Sequence, residues 1–462
     1  MKKWNRVLAA AMAAVMAAGL TACGGGKAPE TTAAATEAAK AETEAQTAEE
    51  TTAAPAAAEG LAVNTTDPIE ITFSWWGGDS RHEATLKAVD AFMEKYPNIT
   101  VKSSYSAWDG WEDKMSSQFA TGTAPDVNQI NWNWITSFSS DGSAFYDLNK
   151  LSDILDLTQF SQGYLDQCTV AGKLQGVPIS MTGRIFYWNK TTYEKAGLET
   201  PKTLADLTAA GKVFEEKLGK DYYPLAMNEY DRTIFMVYYL ESKYGKAWVE
   251  NNQLQYTKEE IEDGLQFIQS LEEQHVIPSI ATIAGDGAAS FDKNPKWMEG
   301  KYAGIFEWDS AAPKQQAALN EGQEFVVGEE LADMGDYKGG FAKVSMCYGI
   351  SENTKHPAEC AALVNFLLNE EAGVAERGVP CSAAGLQICK DQGLLDPIVT
   401  EANEKVLSYV SFPLDPKFEA SALKATNEGV YWDVMAGLSY GDYDIDEASD
   451  VLIEGINKVL QK

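Results

Sequence analysis

Three histidines and six cysteines in 462 residues, with no C-x-x-C among them, leave no ligand set for a zinc site and no local redox pair. Neither a phosphate-cradling loop nor a G-x-G-x-x-G fingerprint is present, so nucleotide chemistry has no foothold and no cofactor is expected. Positive charge is scarce, with 37 Lys and Arg against 68 Asp and Glu and a net charge of -31. A phosphate backbone needs a basic face, which excludes nucleic acid as a partner. No apolar run reaches the roughly 20 residues of a transmembrane helix. The run Val7 to Leu20 comes nearest; it sits behind a basic start at Lys2, Lys3 and Arg6 and reads as a secretory leader.

The leader ends in an address. Leu20-Thr-Ala-Cys23 has the form of a bacterial lipobox, so residues 1–22 are expected to be removed and Cys23 lipidated. That would hold the protein on the extracytoplasmic face of the cell membrane by acyl chains. Residues 23–60 are almost wholly Ala, Thr, Glu, Gly and Pro, cannot bury a face, and are expected to form a disordered tether. The other cysteines, Cys168, Cys347, Cys360, Cys381 and Cys389, are odd in number; Cys381 and Cys389 are a possible pair, free buried thiols the alternative.

The rest of the chain is organised around Ile69 to Pro97. Ile69, Ile71, Phe73 and Trp75 alternate with polar residues, while Leu86, Val89, Phe92, Met93 and Tyr96 recur at helical spacing. Strand, glycine loop and helix therefore succeed one another, with Ser80 and Glu83 spaced as a capping box. The loop Trp76 to Ser80 lies at a strand's carboxyl end, where open α/β sheets bind ligands. Trp76, Gly77, Asp79, Arg81 and His82 become site candidates; the plainer alternative packs Trp75 in the core and Trp76 under the loop. A second strand from Ile99 and a third from Pro125 complete a β-α-β-α-β pattern. These deliver Trp108 and then Asn131, Trp132, Asn133 and Trp134 to the same end.

Gly176-Val-Pro178, Tyr187-Trp-Asn-Lys190, Glu194-Lys-Ala-Gly-Leu198 and Pro201 to Leu207 resemble the family-1 extracellular solute-binding proteins of carbohydrate ABC importers. Gly300-Lys-Tyr-Ala-Gly-Ile-Phe-Glu-Trp308 and Ile350 to Pro357 extend the resemblance from Ile69 to the C-terminus; Leu204 stands where that family often has an aromatic. Trp75 to His82, Trp108-Asp-Gly110, Ala124-Pro-Asp126, Gln129 to Trp134 and Arg184 to Tyr187 are similar to binding proteins for pectin-derived oligosaccharides. The resemblance implies an α/β, two-lobed periplasmic-binding-protein-like fold with a hinge, each lobe a mostly parallel sheet flanked by helices. The implied lobes are residues 61–185 with 330–380 and residues 186–329 with 381–462. It also implies a monomer that captures an oligosaccharide and hands it to permease subunits.

A sugar offers C–H-rich faces and a hydroxyl rim, which call for flat aromatics and short polar groups. Trp76, Trp108, Trp132, Trp134, Trp308 and Trp432 supply the first; Asp79, Asn131, Asn133, Asn189, Asn228 and Asp309 supply the second, with Tyr187 beside them. Each has a structural alternative as core or cap. The rival classes are a secreted glycoside hydrolase or lyase, using Asp109 with Glu112 or Glu307 with Asp309, and a surface adhesin. Four arginines lie beyond the leader, and Arg81, Arg184 and Arg232 fall in the expected cleft segments, with Arg377 apart. Arg184 and Arg81 are therefore the expected partners of a uronate carboxylate, or else braces for neighbouring acids.

Overall fold

In β1 (Ile69–Trp76) the alternation of the sequence becomes a face: Ile71, Phe73 and Trp75 are fully covered. The computed structural model describes residues 61–461 other than 109, 289, 375–378 and 413. The leader, Cys23, the tether, Asp109 and Arg377 lie outside the described residues. After β1 come α1 (Asp79–Lys95), β2 (Ile99–Ser106), α2 (Trp111–Ala120), β3 (Val127–Asn131) and a short α3 (Trp134–Phe138). The expected capping box does not form: Gly78 is the N-cap of α1, no side chain caps it, and Asp79 opens the first turn. The helix ends at Lys95, before Pro97, whose ring cannot continue it.

β1 pairs in parallel with both β2 and β3, so the three carboxyl ends share one edge of the sheet. The next long strand, β4 (Val177–Asn189), is buried along its whole length. Then come α4 (Glu229–Tyr244), α5 (Lys258–Glu273), β5 (Gly304–Trp308), β6 (Phe325–Val327) and β7 (Ala342–Ile350). β7 returns antiparallel between β3 and β4, giving the order β6-β4-β7-β3-β1-β2 with β5 also on β4. β4 changes partners in mid-strand. Up to Gly183 it pairs with β7, and from Arg184 onward with β5 and β6. One continuous strand thus carries the chain from the β1–β3 side of the molecule to the α4 side.

Helix packing obeys the apolar stripes. α5 buries Ile261, Leu265, Ile268 and Leu271, as its spacing predicts. The last two helices are α6 (Val430–Tyr440) and α7 (Ile445–Leu460); α7 buries Ala448, Leu452, Ile456, Val459 and Leu460. A Thr257–Glu260 capping box starts α5, and an Asn228–Asp231 box starts α4. The five described cysteines are free and buried, so Cys381 and Cys389 do not pair.

Candidate functional site

The shared edge of β1, β2 and β3 gathers three tryptophans, one from each strand end. Trp76 closes β1, Trp108 lies just past β2, and Trp134 opens α3 directly after β3. Trp108 stacks on Trp134 at 5.4 Å and 18°, and Trp76 meets Trp108 edge-on at 5.3 Å and Trp134 at 5.1 Å. Trp134 is fully covered and Trp76 nearly so, while Trp108 is 45% exposed. The trio is therefore a platform with one open face, held from below by its two partners. Around it, Asn131 Oδ1 and Asn133 Oδ1 are buried with no hydrogen-bond partner among the described residues. Such groups are uncommon in folded proteins and are available to a ligand or a water.

The glycine loop serves a local purpose. A Cβ at Gly77 would stand 2.6 Å from Arg81 Cδ, so glycine there lets the Arg81 side chain fold back over the loop. Arg81 Nη1 reaches Met346 Sδ at 4.0 Å. His82 Nδ1 accepts from Trp75 Nε1 at 3.1 Å and its ring lies 4.6 Å from that of Tyr105. His82 thus props the strand end, and Asp79 is exposed on the first turn of α1.

Where β4 changes partners, charges converge. Arg184 Nη1 donates to Phe306 O at 2.8 Å and faces Glu307 at 2.8 Å and Asp231 at 2.9 Å, with its guanidinium 4.6 Å from the Trp308 ring. Burial lifts the Asp231 carboxyl above its ordinary range, against the pull of Arg184. Trp308 also has Lys343 Nζ 5.2 Å from its ring. Lys343, from β7, forms a buried ion pair with Glu419, which also accepts from Tyr230 Oη at 3.2 Å and lies 3.6 Å from Lys424 Nζ. Burial opposes ionisation of Glu419, yet the charges of Lys343 and Lys424 outweigh it and hold the carboxyl at about 2. Burial lowers Lys343, with Glu419 opposing.

Beside this network a pocket of 470 Å³ opens, lined among others by Asn228, Tyr230, Asn294, Lys424 and Trp432. Asn228 Oδ1 accepts from Asp231 N at 3.0 Å as the N-cap of α4, which fixes the amide at the pocket wall. The volume is within the range of roughly 300–1,000 Å³ usual for small-ligand sites.

A model of the bacterial extracellular solute-binding protein family matches residues 87–377. The chain belongs to that family. Among solved structures, a periplasmic oligogalacturonide-binding protein from Yersinia enterocolitica, in complex with saturated digalacturonic acid, is 36% identical over 85% of this chain and 99% of its own, with a TM-score of 0.73. A periplasmic solute-binding protein from Pectobacterium atrosepticum is 34% identical with the same two coverages and a TM-score of 0.77. A putative binding protein from Brucella abortus is 28% identical over 156 residues, which are 34% of this chain and only 38% of that protein's length. The fold is accordingly that of the two-lobed α/β solute-binding proteins.

In this solute-binding protein several expected site residues are elsewhere. Trp132 is buried, its indole N–H donating to Gln167 O at 2.7 Å. Tyr187 is buried against Phe325, because β4 is covered on both faces. Asp309 is buried and satisfied by Thr182, Gly183, Ser310 and Asn403, so it ties β4 to its neighbours and has no free edge for a hydroxyl. Asn189 is the buried N-cap of a helix. Arg232 lies inside α4, buried and paired with Glu272 at 2.7 Å, and it does not line the pocket of Asn228 and Trp432. Arg184 meets both acids and Phe306 O through Nη1 alone, while its Nε is buried with no hydrogen-bond partner among the described residues. The carboxylate pair Glu307 and Asp309 is likewise engaged, Glu307 with Arg184 and the Trp308 amide.

Lys343, Glu419 and Lys424 went unmarked in the sequence. They stand on separate segments with no shared motif. One signal existed: Lys343 is the only charged residue in the otherwise buried run Ala342–Ile350, and a lysine in a buried strand is almost always paired.

Proposed function

We propose that this protein is the extracytoplasmic receptor of a carbohydrate ABC importer: it captures an oligosaccharide, pectin-derived and bearing uronate, and delivers it to membrane permease subunits. The observation that carries the reading is the Trp76–Trp108–Trp134 platform at one sheet edge, open on the face of Trp108. Stacked indoles suit the C–H faces of sugar rings. The Yersinia relative's digalacturonic acid supports uronate as the charge. Residues 61–185 with 330–380 and residues 186–329 with 381–462 act as the lobes, hinged where β4 exchanges partners between Gly183 and Arg184. Trp76, Trp108, Asn131 and Asn133 contact ligand from the first lobe, with Trp134 supporting Trp108 from beneath, and Asn228, Trp308 and Trp432 contact it from the second. The protein works as a monomer anchored through lipid on Cys23, and it is not an enzyme.

Closure needs a ligand that binds the closed state better than the open one, since only differential affinity shifts the equilibrium. Solution scattering with and without saturating digalacturonate tests this: the bound protein should be the more compact. Identical curves at proven saturation refute closure. Altered sugar after prolonged incubation refutes the non-enzymatic reading and favours a hydrolase or lyase.

A further inference from the structure

Cations at the lobe junction are unequally matched. Arg184 faces two carboxylates, Asp231 and Glu307, both within 2.9 Å. Lys343 and Lys424 share one acid, Glu419. Three cations thus face three carboxylates, and what separates them is how tightly each is held. Lys343 is buried and paired in close contact with Glu419. Lys424 stands 3.6 Å from Glu419, beyond an ordinary hydrogen bond, and its side chain is 34% exposed.

Lys424 also lines the 470 Å³ pocket, as the only cation among its described lining residues. Trp432 and Tyr230 give that pocket aromatic walls, and Asn228, Ser290 and Asn294 give it hydrogen-bonding groups. Glu229 is the single acid there, and burial raises its carboxyl above the ordinary range. An acid and a base in one pocket orient a ligand that carries hydroxyls and a carboxylate, because the carboxylate avoids Glu229 and the hydroxyls do not. The charge of Lys424 also reaches Glu112 on α2, the first helix after Trp108. The turn Pro416–Glu419, which carries the acid beside Lys424, touches α3, the helix that Trp134 opens.

We infer that Lys424 is the specificity-determining residue for uronate: its ammonium takes the ligand carboxylate while Trp432 covers that sugar's face and Asn228 and Glu229 receive its hydroxyls. This assignment rests on the oligosaccharide reading above and replaces the arginines as carboxylate partners. Calorimetric titration with digalacturonate and with neutral galactobiose of the same linkage, on wild type, Lys424→Met and Lys424→Arg, tests it. Wild type should prefer digalacturonate. Lys424→Met should lose about 10- to 100-fold in affinity for digalacturonate, the usual worth of a charge-assisted hydrogen bond, with neutral binding changed less than about threefold. Lys424→Arg should retain most of the preference, and circular dichroism should show both variants folded. If wild type binds neither sugar, the oligosaccharide reading falls and takes this one with it. If wild type binds digalacturonate while Lys424→Met binds it undiminished, or loses both sugars equally, only the assignment of Lys424 is overturned.

Discussion

Replacing Glu419 with Gln keeps the side-chain volume and removes one charge from a pair in which neither partner meets water, with side-chain exposures of 7% for Lys343 and 3% for Glu419. Breaking a buried ion pair from one side typically costs about 3–5 kcal/mol, because the other charge is left without a counterpart. The proton affinity gives a second route to the magnitude. Glu419 is held at about 2 against an ordinary 4.5, and at about 1.4 kcal/mol per pH unit that difference amounts to about 3 kcal/mol. Both routes give a loss that is large beside the roughly 5–15 kcal/mol by which folded domains usually exceed their unfolded states. The sign comes from the lowered pKa: the contribution is complete above pH 4.5, the unfolded value, and is lost as pH falls toward 2. Urea unfolding monitored by circular dichroism from about pH 7 down to about pH 3 should show Glu419→Gln less stable by about 3 kcal/mol at neutral pH, with the gap closing in acid. In the double variant Lys343→Met with Glu419→Leu no buried charge is stranded, since Lys424 is partly exposed, and part of the loss should be recovered, the rest reflecting the acceptor lost by Tyr230 Oη. A single-variant loss below about 1 kcal/mol, or a gap that stays constant with pH, refutes the account of the network.

Trp108→Ala should weaken sugar binding while leaving the unfolding midpoint nearly unchanged, whereas Trp134→Ala, fully covered, should cost about 3–5 kcal/mol; equal destabilisation in urea would show that Trp108 is core. Arg184→Met strands Asp231 and Glu307 and should destabilise by about 3–5 kcal/mol in the same assay, and a neutral result would count against the brace. Cys23→Ser should move the protein from the membrane fraction to the soluble one, and persistence on membranes would sink the lipid anchor.

The fold was legible because its signals are local and periodic. β1 and α1 arise from the two spacings in Ile69 to Tyr96, and α5 from the helical spacing of Ile261, Leu265, Ile268 and Leu271, all of them buried. The tryptophan platform was legible for the same reason: parallel β-α-β units place successive strand ends together, so Trp76, Trp108 and Trp134 had to meet. Polarity was a poorer guide. Asp309 and Asn189 are as hydrophilic as any rim residue, yet each is consumed by backbone and side-chain partners from segments remote in the chain. Only the tertiary fold reveals whether a polar group still has an open edge.

Arginine shows that limit most sharply. Scarcity made each arginine look dedicated to a ligand, and its fork geometry is the best available match to a carboxylate. The same geometry suits the chain's own acids, of which there are 68 Asp and Glu. Arg184 and Arg232 meet such acids inside the protein, where desolvation makes a fixed, planar, weakly hydrated cation the better buried partner. Lys343 is buried as well, because Glu419 is held against it, and the cation left at the edge of the pocket is Lys424, 3.6 Å from the same acid and partly exposed. In an acid-rich chain, the cation least matched by internal acids is the better candidate for an anionic ligand than the one whose shape fits it best.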